Sequence, residues 1–186
     1  MNVRPTELPE VLLLEPRVFR DARGAFSEVW KASVYEELGI RGPFVQDNVS
    51  HSVRGTLRGL HFQEPTAQGK LVQVLSGRVW DVAVDVRRGS PSFGRWVGVE
   101  LDGDNARQLW VPAGFAHGFL VLSERASFLY KCTAAYSPAH ERSIRWDDPG
   151  LAIRWPLEGA APLLSPKDAI APTLADSEIL PSYTAT

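Results

Sequence analysis

The stretch Val79-Trp80-Asp81-Val82-Ala83-Val84-Asp85-Val86 determines the fold class of this chain. Successive side chains of a β-strand point to opposite faces, so one face of this stretch carries a tryptophan and three valines. The other face carries a valine, an alanine and two aspartates. The alternation predicts a strand with one apolar face and one semi-polar face.

Short runs of the same kind recur along the chain, and each ends at Gly, Pro, Asn, Asp or Ser. They cover residues 12–19, 44–50, 56–63, 71–75, 96–101, 107–111, 118–122 and 127–133. Many short strands at such spacing predict a β-sandwich or barrel. Helices are few: Trp30, Val34 and Leu38 recur at intervals of four before Gly39, which is a typical C-cap. A short helix is predicted near residues 168–171, and a loose tail from Pro172 onward.

Composition excludes several classes of protein. The 15 Gly and 14 Pro are spread through the 186 residues, which predicts one domain over residues 1–186. With 20 Lys+Arg against 22 Asp+Glu, the chain lacks the basic excess of a general nucleic-acid binder. Its longest apolar runs are far shorter than the ~18–20 residues that span a bilayer, so we expect no membrane partner. A single cysteine, Cys132, fits a reducing compartment, and we expect a cytoplasmic protein.

The turn Pro112-Ala113-Gly114-Phe115-Ala116-His117 leads into an apolar strand. It resembles the second motif of the cupin superfamily, which implies an all-β, cupin-type double-stranded β-helix or jelly roll with a few short peripheral helices. Metal-binding cupins carry His-x-His on an upstream strand, whereas the comparable strand here reads His61-Phe62-Gln63. A transition-metal site needs several converging ligands, so we expect no bound catalytic metal.

His61 is open to two interpretations from pattern alone. It can be a hydrogen-bonded strand histidine or a functional one. Alternation places Arg58 and His61 on opposite faces of their strand, unless Gly59 marks a bulge that re-aims one of them.

Nine short segments carry a more specific signal. They are RGAF at 23–26, FVQDNVS at 44–50, TLRGLHFQ at 56–63, QGKL at 68–71, PAGFAHGF at 112–119, YK at 130–131, YSP at 136–138, WDDP at 146–149 and LSPKD at 164–168. In this order, and over nearly the whole chain, they resemble the dTDP-4-dehydrorhamnose 3,5-epimerase family.

The resemblance implies inversion of C3 and C5 of dTDP-4-keto-6-deoxy-D-glucose, a step of dTDP-L-rhamnose biosynthesis that needs no cofactor. Both carbons flank the C4 ketone, so the reaction requires a base, an acid on the other side, and a cation near the ketone oxygen. Carried over by position, His61 is the base and Asp168 orients its ring. Tyr130 is the acid, and Lys70 lies near the ketone oxygen.

The same resemblance implies the substrate contacts. Arg23 and Arg58 match positions that hold the diphosphate, and Tyr136 matches one that stacks on thymine. The remaining contacts implied are Gln46, Asp47, Asn48, Glu28, His117, Glu141 and Lys167. The family also implies a homodimer in which an N-terminal strand crosses to the partner.

Three other functions stay open at this point. Enzymes that invert only C3 or only C5 of related dTDP-4-keto sugars share most of these segments. A cupin-like protein that binds sugar nucleotides without turnover and a metal-dependent cupin oxygenase are the remaining alternatives.

Overall fold

A computed structural model describes residues 1–184, which form thirteen short strands and two short helices. The strands are Asn2–Pro5 (β1), Leu12–Glu15 (β2), Val18–Asp21 (β3), Gly24–Ser27 (β4), Gln46–Val53 (β5), Leu57–Gln63 (β6), Lys70–Ser76 (β7), Arg78–Asp85 (β8), Trp96–Asp102 (β9), Gln108–Val111 (β10), Phe115–Val121 (β11), Arg125–Cys132 (β12) and Glu141–Ser143 (β13). The helices are Ala32–Glu37 (α1) and Pro166–Ala169 (α2). Within residues 1–184, no helix combines the length and the apolar character that a membrane crossing requires.

Two antiparallel sheets make up the body of the fold. A six-stranded sheet has the order β1-β2-β10-β7-β12-β5, a five-stranded sheet has the order β13-β6-β11-β8-β9, and β3 and β4 form a separate hairpin. The main core lies between the two sheets, and smaller apolar clusters cover their outer faces. This arrangement confirms the predicted all-β, cupin-like fold with a few short helices.

Strand β8 has the two distinct faces that the alternation of residues 79–86 predicts. Val79 and Ala83 pack in the core between the sheets, whereas Val82 and Val84 pack in the cluster on the outer side. The two aspartates of the semi-polar face are fully buried, so that face looks into the molecule. Buried carboxylates need hydrogen-bond partners, and both have them. Asp85 accepts from Arg87, Ser90 and Ser92, and Asp81 is hydrogen-bonded to His117.

Three strands were not predicted from the sequence, and one run that was predicted as a single strand forms two. The run over residues 12–19 is divided into β2 and β3, and Pro16 lies between them because proline has no N–H to donate to a ladder. β1, β4 and β13 are edge or hairpin strands of three or four residues, too short for a clear alternation. The predicted helix is confirmed as α1, and Gly39 follows it with a positive φ of 81°.

The segment after Pro172 is not loose, in contrast to the prediction. Leu174 and Ser177 are buried, and the backbone of Arg88 exchanges hydrogen bonds with Pro181 and Tyr183. The tail therefore packs against the outer side of the five-stranded sheet. Its Pro and Ala content concealed this because many of the contacts are backbone hydrogen bonds, which carry no sequence signal, and only isolated side chains such as Leu174 and Leu180 join the outer apolar cluster.

Candidate active site

A cavity of about 920 Å³ lies between the two sheets. Most of the predicted site residues line it, namely Gln46, Asn48, Arg58, His61, Lys70, His117, Tyr130, Tyr136, Glu141, Lys167 and Asp168. They come from both sheets, from the loop before β13 and from α2, so the fold brings together residues that are up to 122 positions apart (46 to 168). A cavity of this size suits a ligand as large as a nucleotide sugar.

A β-bulge at Gly59 turns Arg58 and His61 into the same cavity. His61 is opposite His117 on β11, whereas Arg58 is opposite Phe119, so three steps along β6 match two along β11. Gly59 has a φ of +127°, and a Cβ there would lie 2.5 Å from the Cα of Gly118. Only glycine allows this backbone and this close approach. The bulge resolves the orientation that alternation alone left open.

His61 and Asp168 form a hydrogen-bonded pair. The Nε2 atom of His61 lies 2.6 Å from Oδ1 of Asp168, whose side chain is only 2% exposed. Burial opposes ionisation of Asp168, but the hydrogen bond from His61 and the charge of the neighbouring Lys167 act against it, and the pKa of the carboxyl is held below its ordinary value. An ionised carboxylate only accepts, so Nε2 donates and Nδ1 is left with a lone pair. The pair leaves His61 able to accept a proton.

The local sequence explains how α2 presents Asp168. Ser165 is the N-cap and accepts a hydrogen bond from the backbone N–H of Asp168 at 3.1 Å, and Pro166 occupies the first turn. The helix begins two residues earlier than predicted because of this cap. Asp168 thus lies in the first turn, where a negative charge is favourable.

A second imidazole–carboxylate pair lies on the neighbouring strands, and sequence reasoning missed its acid. Nε2 of His117 is 3.0 Å from both carboxylate oxygens of Asp81 on β8. His117 is 7% exposed and Asp81 fully buried. The sequence pattern that could have identified this acid is the alternation of β8, which places Asp81 on its semi-polar face. A carboxylate that is buried there requires a hydrogen-bond partner.

Lys70 crosses from one sheet to the other. Its Nζ donates to the backbone carbonyl of His61 at 3.3 Å, and the residue is 7% exposed. Burial lowers the pKa of Lys70, and the neighbouring Cys132, Glu141 and Asp81 oppose that shift only in part. A compact ammonium group is therefore held at the cavity wall beside His61.

Tyr130 lies on β12 of the six-stranded sheet, across the cavity from the β6 strand that carries His61. Its side chain is partly buried against the main core. Burial raises the pKa of the Tyr130 phenol, although the charge of Arg58 acts in the opposite direction. The phenol stays protonated at neutral pH and can donate.

Comparison with known proteins decides the family. A family model described as dTDP-4-dehydrorhamnose 3,5-epimerase matches residues 5–176. The chain belongs to the dTDP-4-dehydrorhamnose 3,5-epimerase family. It is 57% identical to the dTDP-4-dehydrorhamnose 3,5-epimerase of Pseudomonas aeruginosa over 182 residues, covering 97% of this chain and 100% of that protein.

Solved structures of epimerases share the whole fold. The dTDP-6-deoxy-D-glucose-3,5-epimerase of Legionella pneumophila, solved in complex with dTDP-4-keto-L-rhamnose, superposes with a TM-score of 0.95 at 56% identity and covers 99% of both chains. ChmJ, a 3'-monoepimerase from Streptomyces bikiniensis in complex with dTDP-quinovose, gives a TM-score of 0.91 at 39% identity, over 96% of this chain and 92% of that one.

The cavity mouth of this epimerase-family chain is closed on one side by three linked side chains. Glu141 on β13 accepts from the Tyr136 hydroxyl at 3.0 Å and pairs with Nζ of Lys167 at 2.7 Å. The hydrogen bond to Glu141 raises the pKa of Tyr136. On the other side, Gln46 bonds both the backbone N–H of Tyr136 and the Asn48 side chain. The half-exposed ring of Tyr136 is thus fixed at the rim.

Arg58 is oriented by a serine that the sequence analysis did not single out. Nε of Arg58 donates to Oγ of Ser52 at 3.1 Å, and Ser52 is 9% exposed. On the same face of β5, Ser50 lines the cavity, and its buried hydroxyl has no hydrogen-bond partner in residues 1–184. Arg58 thus lines the cavity with its guanidinium held at Nε, and its terminal nitrogens are not needed for that bond.

Three predicted contacts lie outside the cavity of this chain. Arg23 is exposed at the turn between β3 and β4, where it pairs with Asp21. Glu28 is exposed in the connection before α1. Asp47 points to the outer face of β5, between Gln46 and Asn48, and pairs with Lys131 at 2.8 Å. Their proposed contacts with substrate stay predictions.

Proposed function

We propose that this chain inverts C3 and C5 of dTDP-4-keto-6-deoxy-D-glucose, giving dTDP-4-keto-L-rhamnose. One relationship carries the proposal. His61, held by Asp168, and Tyr130 line opposite walls of one cavity, and Lys70 lies beside the base. Inversion of a carbon next to a ketone requires this arrangement of a base, an acid and a cation.

The first step removes a proton from the carbon next to the C4 ketone. Nδ1 of His61 takes the proton, and the Asp168 carboxylate stabilises the imidazolium that forms. The electron pair of the broken C–H bond moves toward the C4 oxygen, which becomes an enolate. The buried ammonium of Lys70 stabilises the charge there, in surroundings of low polarity where such an interaction is strong.

The second step returns a proton from the opposite face. Tyr130 donates its phenolic proton to the same carbon, the ketone reforms, and the configuration is inverted. His61 then releases its proton to solvent and the Tyr130 phenolate takes one up, after which the same two steps at the second carbon complete the reaction. Proton transfers alone balance the scheme, so it requires no oxidant or reductant.

The rest of the substrate is assigned to the cavity mouth. The guanidinium of Arg58, oriented by Ser52, suits the diphosphate, and Tyr136 offers an aromatic face to thymine. Arg23 is proposed as a second diphosphate ligand. The proposed sugar and nucleotide contacts are Gln46, Asp47, Asn48, Glu28, His117, Glu141 and Lys167.

A homodimer is proposed as the working form. The outer face of the edge strand β5 exposes Val49 and Val53, each at 50%, and Val45 just before the strand at 53%. Exposed apolar side chains along a sheet edge favour association with another chain. β1 pairs with β2 of the same chain, so the exchange of an N-terminal strand stays a prediction.

A cytoplasmic location is proposed because the free Cys132 fits a reducing compartment.

Solvent exchange tests the function. The protein is incubated with dTDP-4-keto-6-deoxy-D-glucose in D₂O, and deuterium incorporation is followed by NMR. Exchange at both C3 and C5, with formation of the L-rhamnose product, is expected. Exchange at one carbon alone identifies a mono-epimerase, and no exchange at either carbon contradicts the enzymatic role.

A further inference from the structure

The segment of residues 163–174, here named the strap, carries Asp168 to the cavity and is tied down before and after that residue. Before it, the Leu163 N–H donates to the Gly55 carbonyl at 2.8 Å, and the Leu163 carbonyl accepts from Leu57 at 3.0 Å. These bonds fix the strap to the start of β6, the strand that carries His61. The part of the strap before Asp168 is thus fixed relative to the strand that carries His61.

After Asp168, the strap is held by the segment of residues 145–149, which contains Trp146-Asp147-Asp148-Pro149. The Pro172 carbonyl accepts from the backbone N–H of Arg145 at 2.8 Å. Oδ2 of Asp148 accepts from the backbone N–H of Leu174 at 2.6 Å. Asp148 is 3% exposed, so this bond is made out of contact with water.

The two oxygens of Asp148 have separate tasks. Oδ1 accepts from the backbone N–H groups of Gly150 at 2.7 Å and Leu151 at 3.1 Å, which forms the local turn. Oδ2 is used for the strap alone in residues 1–184. One oxygen therefore shapes the turn that contains Asp148, and the other connects that turn to the strap.

Helix α2 cannot set the position of Asp168 without such anchors. It has four residues, and a helix of that length is unstable by itself because nucleation is unfavourable. The position of the Asp168 carboxylate, 2.6 Å from His61, therefore depends on where the two ends of the strap are held.

We propose that Asp148 is a positioning residue for the epimerase reaction, which acts by anchoring the strap so that Asp168 meets His61. It touches neither the cavity nor His61 and works only through the Leu174 N–H and the strap. The inference rests on the proposed role of His61 as the base.

Asp148→Asn tests the connection selectively. The asparagine oxygen can replace Oδ1 in the turn, whereas its NH₂ group would replace Oδ2 and face another donor, the Leu174 N–H. We expect kcat to fall about tenfold to a hundredfold, as misplacement by a fraction of an ångström to one ångström can cause. KM should change less than kcat, because Lys167 is the one proposed mouth residue that lies on the strap.

The matched control is Asp147→Asn. It makes the same change of charge at the adjacent residue, but the Asp147 carboxylate pairs with the Arg145 side chain at the surface and bonds no strap backbone. Wild-type kcat and KM are expected for this variant.

Proton NMR of the substrate-free protein supplies a readout that does not depend on turnover. The imidazole N–H of His61 that is bound to Asp168 should give a downfield resonance, assigned by its loss in Asp168→Asn. In Asp148→Asn this resonance should broaden or disappear. The N–H of His117 that is bound to Asp81 should stay, since neither residue touches the strap.

Wild-type kcat with an unchanged His61 resonance in folded Asp148→Asn would overturn the proposal. Loss of both imidazole resonances together indicates instead that Asp148→Asn does not fold. If Asp148→Asn does not fold, Arg88→Ala decides. Arg88 holds the tail beyond the strap through the carbonyls of Ser177 and Glu178. We expect a two- to threefold loss of kcat with a broadened His61 resonance, and wild-type behaviour contradicts the proposal.

Failure of the wild type to exchange C3 and C5 protons would instead contradict the function itself.

Discussion

His61 and His117 are directly opposite each other on the antiparallel strands β6 and β11, yet each is bonded to a carboxylate from a different element. Asp168 reaches His61 from α2, whereas Asp81 reaches His117 from the neighbouring strand β8. The side chain of His61 is 27% exposed and that of His117 only 8%. The two pairs are chemically alike, and their difference in access predicts different roles.

Asp168→Asn and Asp81→Asn should separate those roles. With asparagine at 168, the His61 ring loses the carboxylate that sets its tautomer and stabilises the imidazolium, so kcat should fall about 10³- to 10⁴-fold with little change in KM. Asparagine at 81 disturbs His117, which is a proposed substrate contact. We therefore expect mainly a higher KM, with a kcat loss of tenfold at most. Steady-state kinetics of the two variants measures both effects. Equal losses of kcat would contradict the assignment of a single base.

Tyr130→Phe should uncouple proton exchange from inversion. His61 can still remove a proton and return one to the same face, so deuterium from D₂O should enter the substrate without a change of configuration. Product formation should fall at least about 10²-fold, the contribution of a general acid. His61→Ala should abolish both exchange and product, whereas substrate binding by calorimetry should largely survive in both variants. Full activity in His61→Ala would refute the base assignment.

The sequence predicted types of residue and strand better than it predicted contacts. Alternation in β8 identified a strand with a semi-polar face, but it could not show that this face looks into the molecule or that His117 would bind Asp81, because strand partners depend on register. The orientation of Arg58 depended on a bulge, and the bulge depends on the close approach of Gly59 to Gly118. His61 and Asp168 are 107 residues apart, so only the family resemblance paired them before the fold was known.

Lys70 should set the alkaline limit of activity. The amine of Lys70 must be charged to stabilise the enolate, so kcat should fall as the pH rises through the pKa of Lys70. Because that pKa is lowered, the fall should begin at a lower pH than the ordinary lysine value of ~10.4 would give. Burial acts in the opposite direction on Tyr130, whose raised pKa moves the loss of its proton to higher pH. Lys70→Arg should have lower activity with its alkaline limb at higher pH, since a guanidinium stays charged. An unmoved limb, with folding checked by circular dichroism at each pH, would assign the limit to another group.

Ser52→Ala should weaken substrate binding without slowing the chemistry. The serine hydroxyl accepts from Nε of Arg58 at 3.1 Å, and its loss frees the guanidinium to take other rotamers. A hydrogen bond of about 1 kcal/mol corresponds to a roughly fivefold increase in KM. Ser127→Ala is the control, since that hydroxyl bonds His51 and does not line the cavity. A lower kcat with unchanged KM in Ser52→Ala would place Arg58 in the chemical step.

Val49→Asp should dissociate the proposed dimer. Val49 is 50% exposed at the centre of β5, and a carboxylate there would be buried unpaired if this face met a second chain. Light scattering should give the wild type twice the chain mass of 20.5 kDa and the variant one chain mass. Ile170→Asp is the control, because Ile170 is 83% exposed but lies at the end of α2, away from this face. A wild type with the mass of one chain would refute the dimer, and a dimeric Val49→Asp variant would move the interface to another face.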